Sequence, residues 1–182
     1  MKRSEFLKLL GLAPASFALS GIELTEAKTL KPKRLPENPI VGLIAPASPI
    51  YSESQYEHMI ENLTKLGFNL REGSYVQKQY GYLAGSDEDR VSDLHQMFED
   101  PEIDAILCIR GGYGSNRILG LIDYDLIAKN PKIFAGFSDI TALHAAILKY
   151  SGLITFHSPV GKSEWNSFSK NEFMSVLRSG NE

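Results

Sequence analysis

Apolar and polar positions fall into alternating blocks along this chain. Largely apolar runs at 39–45, 103–109, 132–137 and 153–156 have the length of buried strands. A shorter run, 68–71, reads as a further strand. Between them apolar residues return at helical spacing. Met59, Ile60, Leu63 and Leu66 share one face over 52–66, and Val91, Leu94, His95 and Phe98 share one face of a second helix. The helix ends are also legible. Ser52 or Ser54 can cap the first helix and Gly67 can close it. Ser86 caps the second, with Asp87, Glu88 and Asp89 in the first turn where the helix dipole favours acid, and Asp100-Pro101 ends it. Residues 116–121 read as a short helix and 122–127 as a helical turn closed by Asn130-Pro131. Residues 140–150 read as a helix with Ser138 or Asp139 as cap and Gly152 as its end, and 171–178 as a last helix. The tyrosine-rich stretch 75–85 has no period and is expected to form a loop over the site, and His95 has no evident partner.

Strands alternating with helices predict an α/β fold: a parallel, Rossmann-like or flavodoxin-like sheet with helices on both faces. Ligands of such sheets gather at the carboxyl ends of the strands. Four loops are expected there: Pro46-Ala47-Ser48, Gly111 to Ser115, Gly136 to Asp139 and His157-Ser158-Pro159.

Residues 1–27 pattern differently. A basic start (Lys2, Arg3) precedes an apolar stretch too short to span a bilayer, as in a signal peptide, and the order Arg3-Ser4-Glu5-Phe6-Leu7-Lys8 is that of a degenerate twin-arginine signal. Export to the periplasm, without a stable membrane anchor, is the expectation; a cytoplasmic location follows if the segment is an ordinary amphipathic helix. Residues 28–38 read as a basic linker, 39–160 as one domain, and 161–182 as a linker or the start of another domain.

Composition narrows the partners. The chain has 182 residues, 43% of them hydrophobic and 23% charged, which suits a globular domain. A net charge of −3 argues against nucleic acid or an anionic membrane surface. The single cysteine, Cys108, excludes an internal disulfide and reads as a small buried hydrophobe. Neither a metal motif nor a dinucleotide fingerprint is present, so no cofactor is expected.

The candidate chemistry centres on the end of the third apolar run, Arg110-Gly111-Gly112-Tyr113-Gly114-Ser115-Asn116-Arg117. A strand, a tight glycine turn and a serine opening a helix make the geometry of a nucleophile elbow. The same arrangement also serves as an anion-binding loop or as a plain βα turn. The pattern G-x-S-x-G is absent, since Asn116-Arg117 follow the serine.

Taken together, Ile44-Ala45-Pro46-Ala47-Ser48, Gly81-Tyr82-Leu83-Ala84-Gly85, Arg90, Leu94, Arg110 to Arg117, Gly136-Phe137-Ser138-Asp139-Ile140-Thr141 and Phe156-His157 resemble the LD-carboxypeptidases and the related microcin-C immunity peptidases. The resemblance implies a serine peptidase that releases the terminal D-alanine from murein tetrapeptides. It implies Ser115 as nucleophile, with the amides of Asn116 and Gly112 as oxyanion donors. Arg110, Ser138 and Asp139 match family positions near the pocket, although Ser138 or Asp139 also suits a helix cap. Two departures stand out. His157-Ser158-Pro159 replaces the family's His-Gly-Pro. The family takes its Glu and His from a second, C-terminal domain, and none of His58, His95, His144 and His157 matches that base. The expectation is an N-terminal domain without its C-terminal partner, inactive alone and a homodimer by resemblance. The alternatives are a microcin-type immunity peptidase, a non-catalytic α/β domain that binds an anion or peptide, and a decayed fragment without function.

Overall fold

The computed structural model describes residues 29–179. The signal-peptide reading of 1–27 lies outside the described residues. Five parallel strands form one sheet in the order β2-β1-β3-β4-β5. They are β1 (Ile40–Ile44), β2 (Asn69–Glu72), β3 (Ala105–Cys108), β4 (Ile133–Gly136) and β5 (Phe156–His157). This is the flavodoxin-like order, which reverses between β1 and β3.

The helices are α1 (Glu53–Lys65), α2 (Asp87–Glu99), α3 (Tyr124–Lys129), α4 (Thr141–Ser151) and α5 (Ser167–Met174), the last running into a π turn at Ser175–Ser179. Alternate strand residues feed two cores, one on each face of the sheet. Ile44, Ile106, Cys108 and Phe134 pack with Leu94, Phe98, Ile127, Leu143 and Ile147 of α2, α3 and α4. Leu43, Leu107, Ile109 and Ala135 pack with Tyr56, Met59 and Leu63 of α1, and Trp165 and Phe173 close that side. The central strands β3 and β4 are buried throughout, as strands covered on both faces must be.

Local rules account for most boundaries. Ser52 accepts the Gln55 N–H and starts α1; Leu66 closes it and Gly67 follows at φ +93°. Ser86 and Asp89 make a reciprocal capping box on α2. Asp123 caps α3. Several expectations shift. The segment after the glycine loop is a single 3₁₀ turn, Ser115–Ile118, instead of a helix over 116–121; a turn then follows at Gly120. Leu153 precedes β5 and makes one parallel bridge to Leu30, so the last strand is Phe156–His157. His95 has a partner after all: its Nε2 accepts the Asp123 N–H at 2.9 Å. The basic segment before β1 is packed on the domain. The Leu35 N–H donates to the Leu177 carbonyl at 2.9 Å, and the Leu35 side chain is buried.

Candidate active site

The carboxyl ends of β1, β3 and β4 bring three loops together. Ser48, after β1, is buried; its hydroxyl accepts the Tyr113 N–H at 3.1 Å and its amide donates to the Gly111 carbonyl at 3.3 Å. Gly112 has φ +110°, and a Cβ there would lie 2.5 Å from Ser48 Oγ. Only glycine fits this backbone beside that serine. Arg110 Nη1 donates to the Pro49 carbonyl at 2.7 Å, and the guanidinium lies over the Tyr51 ring. Tyr113 meets Tyr82 edge-on, which seats the 75–85 loop against the glycine turn. The Gly111 and Gly112 amides donate to no group among the described residues.

The second loop departs from the sequence expectation. β4 ends at Gly136, Phe137 is extended, and Ser138 turns into the left-handed region at φ 66° before the 3₁₀ turn Ser138–Ile140 and α4. Ser138 is the only non-glycine residue with positive φ among the described residues. A left-handed conformation costs a side-chain-bearing residue roughly 1–2 kcal/mol, and such outliers concentrate where geometry serves function. Strand, left-handed serine, turn and helix share the backbone geometry of a nucleophile elbow. Gly136 makes it feasible, because a Cβ there would meet Ile140 Cγ2 at 3.0 Å and Cys108 Cβ at 3.2 Å. The Ser138 side chain is exposed, and its hydroxyl has no hydrogen-bond partner among the described residues. Gly111 lies beside it: a Cβ on Gly111 would stand 3.0 Å from Ser138 Cβ and 3.3 Å from Ser138 Oγ.

Ser115 sits elsewhere. It is 0% exposed, its hydroxyl donates to the Asp139 carbonyl at 2.6 Å, and its amide donates to the Asp139 carboxylate at 2.8 Å. A buried hydroxyl with its proton already given to a carbonyl is a brace between two loops. The elbow geometry expected at Ser115 is found at Ser138. Asn116 is exposed on the turn that Ser115 opens. Asp139 is not a cap of α4, which begins without a side-chain cap bond; its carboxylate holds the glycine loop instead. The structure therefore gathers Gly111, Gly112, Ser138 and Asp139, ties Arg110 to the Pro49 carbonyl beside Gly112, and withdraws Ser115 inward.

The surroundings are tightly bonded. His144 Nε2 donates to the Gly136 carbonyl at 3.0 Å while Nδ1 accepts from the Thr155 hydroxyl at 2.9 Å; burial lowers its pKa. The Ser158 amide donates to the same Gly136 carbonyl at 3.0 Å. Beside the elbow a cleft of about 380 Å³ is lined by Phe137, His157, Ser158, Pro159, Ser163 and Glu164. Cys108 lies under the elbow, fully buried, and burial pushes its thiol pKa up, which excludes it as a nucleophile. Among the described residues no three His, Cys, Asp or Glu side chains gather to hold a metal ion.

The sequence placed Ser138 only near the pocket or at a helix cap, and showed neither the burial of Arg90 nor the two ring bonds of His144. A signal for Ser138 existed: Gly136-Phe137-Ser138 is G-x-S between a strand and a helix. The helix-cap reading of Ser138 absorbed it.

With this geometry in hand, comparison with known proteins is specific. The family profile described as the LD-carboxypeptidase N-terminal domain matches residues 41–158. The probable murein peptide carboxypeptidase of Bacillus subtilis is 48% identical over 130 residues, which cover 71% of this chain and 40% of that protein. The murein tetrapeptide carboxypeptidase of Pseudomonas aeruginosa is 41% identical over 121 residues, 66% of this chain and 39% of that protein. The crystal structure of an MccF-like protein from Bacillus anthracis superposes with a TM-score of 0.78 at 34% identity, covering 82% of this chain and 47% of that one. The chain thus spans about two-fifths of the length of these curated relatives.

Proposed function

The chain belongs to the LD-carboxypeptidase family, and on that premise we propose that it carries the nucleophile of a serine peptidase that releases the terminal D-alanine from murein peptide stems. Ser138 is that nucleophile. The observation that carries this reading is its left-handed φ of 66° between β4 and the following turn, with the hydroxyl exposed beside Gly111.

In this reading Ser138 Oγ attacks the carbonyl carbon of the amide between the L-centre and D-alanine. Its proton passes to a base. The negative charge on the carbonyl oxygen falls to backbone amides, that of Asp139, which follows the nucleophile, and that of Gly112 on the neighbouring loop. The amide C–N bond then breaks, D-alanine leaves with a proton on its nitrogen, and water hydrolyses the acyl–serine ester. Each oxyanion donor of this kind contributes about 3 kcal/mol to lowering the barrier. A serine hydroxyl is a weak nucleophile until a base takes its proton. His144 already uses both ring nitrogens, and His95 holds the Asp123 amide. We place the base in the part of the relatives' length that this chain does not match. Residues 1–27 are proposed to direct export, so that the murein peptides are met in or near the periplasm.

The test is release of D-alanine from a murein tetrapeptide, with added imidazole standing in for the base. D-alanine should appear with the wild-type chain and with Ser115→Ala, and should not appear with Ser138→Ala. Equal release by Ser138→Ala and wild type would overturn the assignment.

A further inference from the structure

Arg90 is fully enclosed, with its side chain 0% exposed. Its Nη1 donates to the Pro46 carbonyl at 2.7 Å and the Gly114 carbonyl at 2.9 Å, and its Nε to the Ser86 carbonyl at 3.3 Å. Its Nη2 pairs with the Asp87 carboxylate. Asp87 also receives Arg117, from Nε at 3.1 Å and Nη2 at 2.9 Å, and the two arginines hold its carboxyl below the usual range. One side chain therefore joins three segments: the loop after β1, the glycine loop after β3 and the first turn of α2. Arginine suits the task because its planar fork presents five donors in fixed directions. Burying a guanidinium is tolerable only when its donors are satisfied and a carboxylate is near, and both conditions hold here.

The place of these bonds goes beyond holding the fold together. Gly114, whose carbonyl Arg90 holds, stands at φ +109° directly before Ser115. Ser115 bonds twice to Asp139, and Asp139 follows Ser138. The bonds thus run without a break from α2 through the glycine loop to the elbow. Through Arg117, Asp87 also holds the turn that leaves the loop.

We infer that Arg90 is a positioning residue for the reaction: its guanidinium sets the Gly111–Gly114 loop against the Ser138 elbow, so that the Gly112 amide meets the developing oxyanion. The inference rests on Ser138 being the nucleophile. Arg90 itself touches no substrate.

Arg90→Lys keeps the charge and loses the planar fork, which makes it the informative variant. Two readouts are taken on the full chain, at a temperature where circular dichroism shows each variant folded. The first is hydrogen exchange of the Gly112 to Ser115 amides. The second is the imidazole-assisted rate of fluorophosphonate addition to Ser138, measured against reagent concentration so that reversible binding separates from bond formation. Leu63→Ala, buried under α1 on the other face of the sheet, controls for lost stability. Arg90→Lys should speed exchange selectively in the loop and slow bond formation on the order of 100-fold, with little change in half-saturating concentration. Leu63→Ala should do neither.

Labelling of Arg90→Lys at the wild-type rate overturns the inference, whether or not loop exchange rises, and leaves Ser138 standing. A wild-type chain that is not labelled at Ser138 removes the nucleophile reading and this inference with it. Should Arg90→Lys not fold, Asp87→Asn, which leaves Arg90 in place but unneutralised, takes its part. A folded Asp87→Asn chain labelled as fast as wild type overturns the inference in the same way.

Discussion

Ser115 and Asp139 are joined twice, hydroxyl to carbonyl at 2.6 Å and amide to carboxylate at 2.8 Å. The two bonds fasten the glycine loop after β3 to the elbow after β4. They make a serine in a glycine-rich turn a brace, with its hydroxyl buried and already bonded. Ser115→Ala removes one of the two donors to the Asp139 carbonyl, which keeps the Thr141 N–H. It should lower stability by about 1–2 kcal/mol in urea unfolding and slow labelling, with Ser138 still the residue labelled.

Ser138 should behave in the opposite way. A glycine relieves the cost of a left-handed backbone. Ser138→Gly is therefore expected to gain about 1 kcal/mol of stability while losing all phosphonate labelling. Thermal unfolding followed by calorimetry measures the first effect and mass spectrometry the second. A loss of stability would mean that the φ of 66° carries no strain.

Gly112→Ala is expected to damage both fold and site. The new methyl would stand 2.5 Å from Ser48 Oγ on a backbone at φ +110°. Ser48 must move, and with it the bonds to Tyr113 and Gly111. A drop of about 1–3 kcal/mol in urea unfolding is the expected result. Gly67→Ala provides the contrast, since its φ is also positive but nothing lies within 4 Å of the added Cβ. It should cost less.

The fold was largely legible because its pattern is strong. Buried strands such as 105–108 and 133–136 are apolar without interruption, and Ser52 and Ser86 mark helix starts by a chemistry that needs no tertiary information. The site was legible only as a set of loops. Ser115 and Ser138 both follow a strand and a glycine in the sequence, and both open a turn. Which one carries an exposed hydroxyl on a left-handed backbone depends on long-range contacts, the Asp139 carbonyl that takes up Ser115 and the Gly111 backbone beside Ser138. Arg90 shows the same limit. On an amphipathic helix an arginine reads as surface, and only the three-segment packing reveals that its charge is enclosed.

Asp93 supplies a pH prediction. Its side chain is buried on α2 and accepts the Tyr75 N–H, and burial raises its pKa to about 6. A carboxyl raised in the folded state favours folding while it is protonated there. As pH rises from about 4, the unfolded chain ionises first and the folded state loses ground until pH passes about 6. The stability of wild type minus that of Asp93→Asn should therefore fall between pH 4 and 6 and level off above. Urea unfolding at stepped pH measures it, and a difference that is flat or rises across this window would contradict the burial argument.

Cys108 offers a probe of opening. Its thiol is fully buried, and burial raises its pKa, so the native chain should not react with an aromatic disulfide reagent at neutral pH. Reaction should appear in urea with the same midpoint as the loss of circular dichroism. Rapid reaction of the native chain would show that the core beneath the elbow opens on its own.

The most direct measurement is to treat the chain with a fluorophosphonate in the presence of imidazole and locate the adduct by tandem mass spectrometry. Ser115 and Ser138 fall on opposite sides of the peptide bond after Lys129, so tryptic cleavage there separates them. The elbow assignment predicts an adduct at Ser138 and none at Ser115. An adduct at Ser115, or labelling that survives Ser138→Ala, would contradict it.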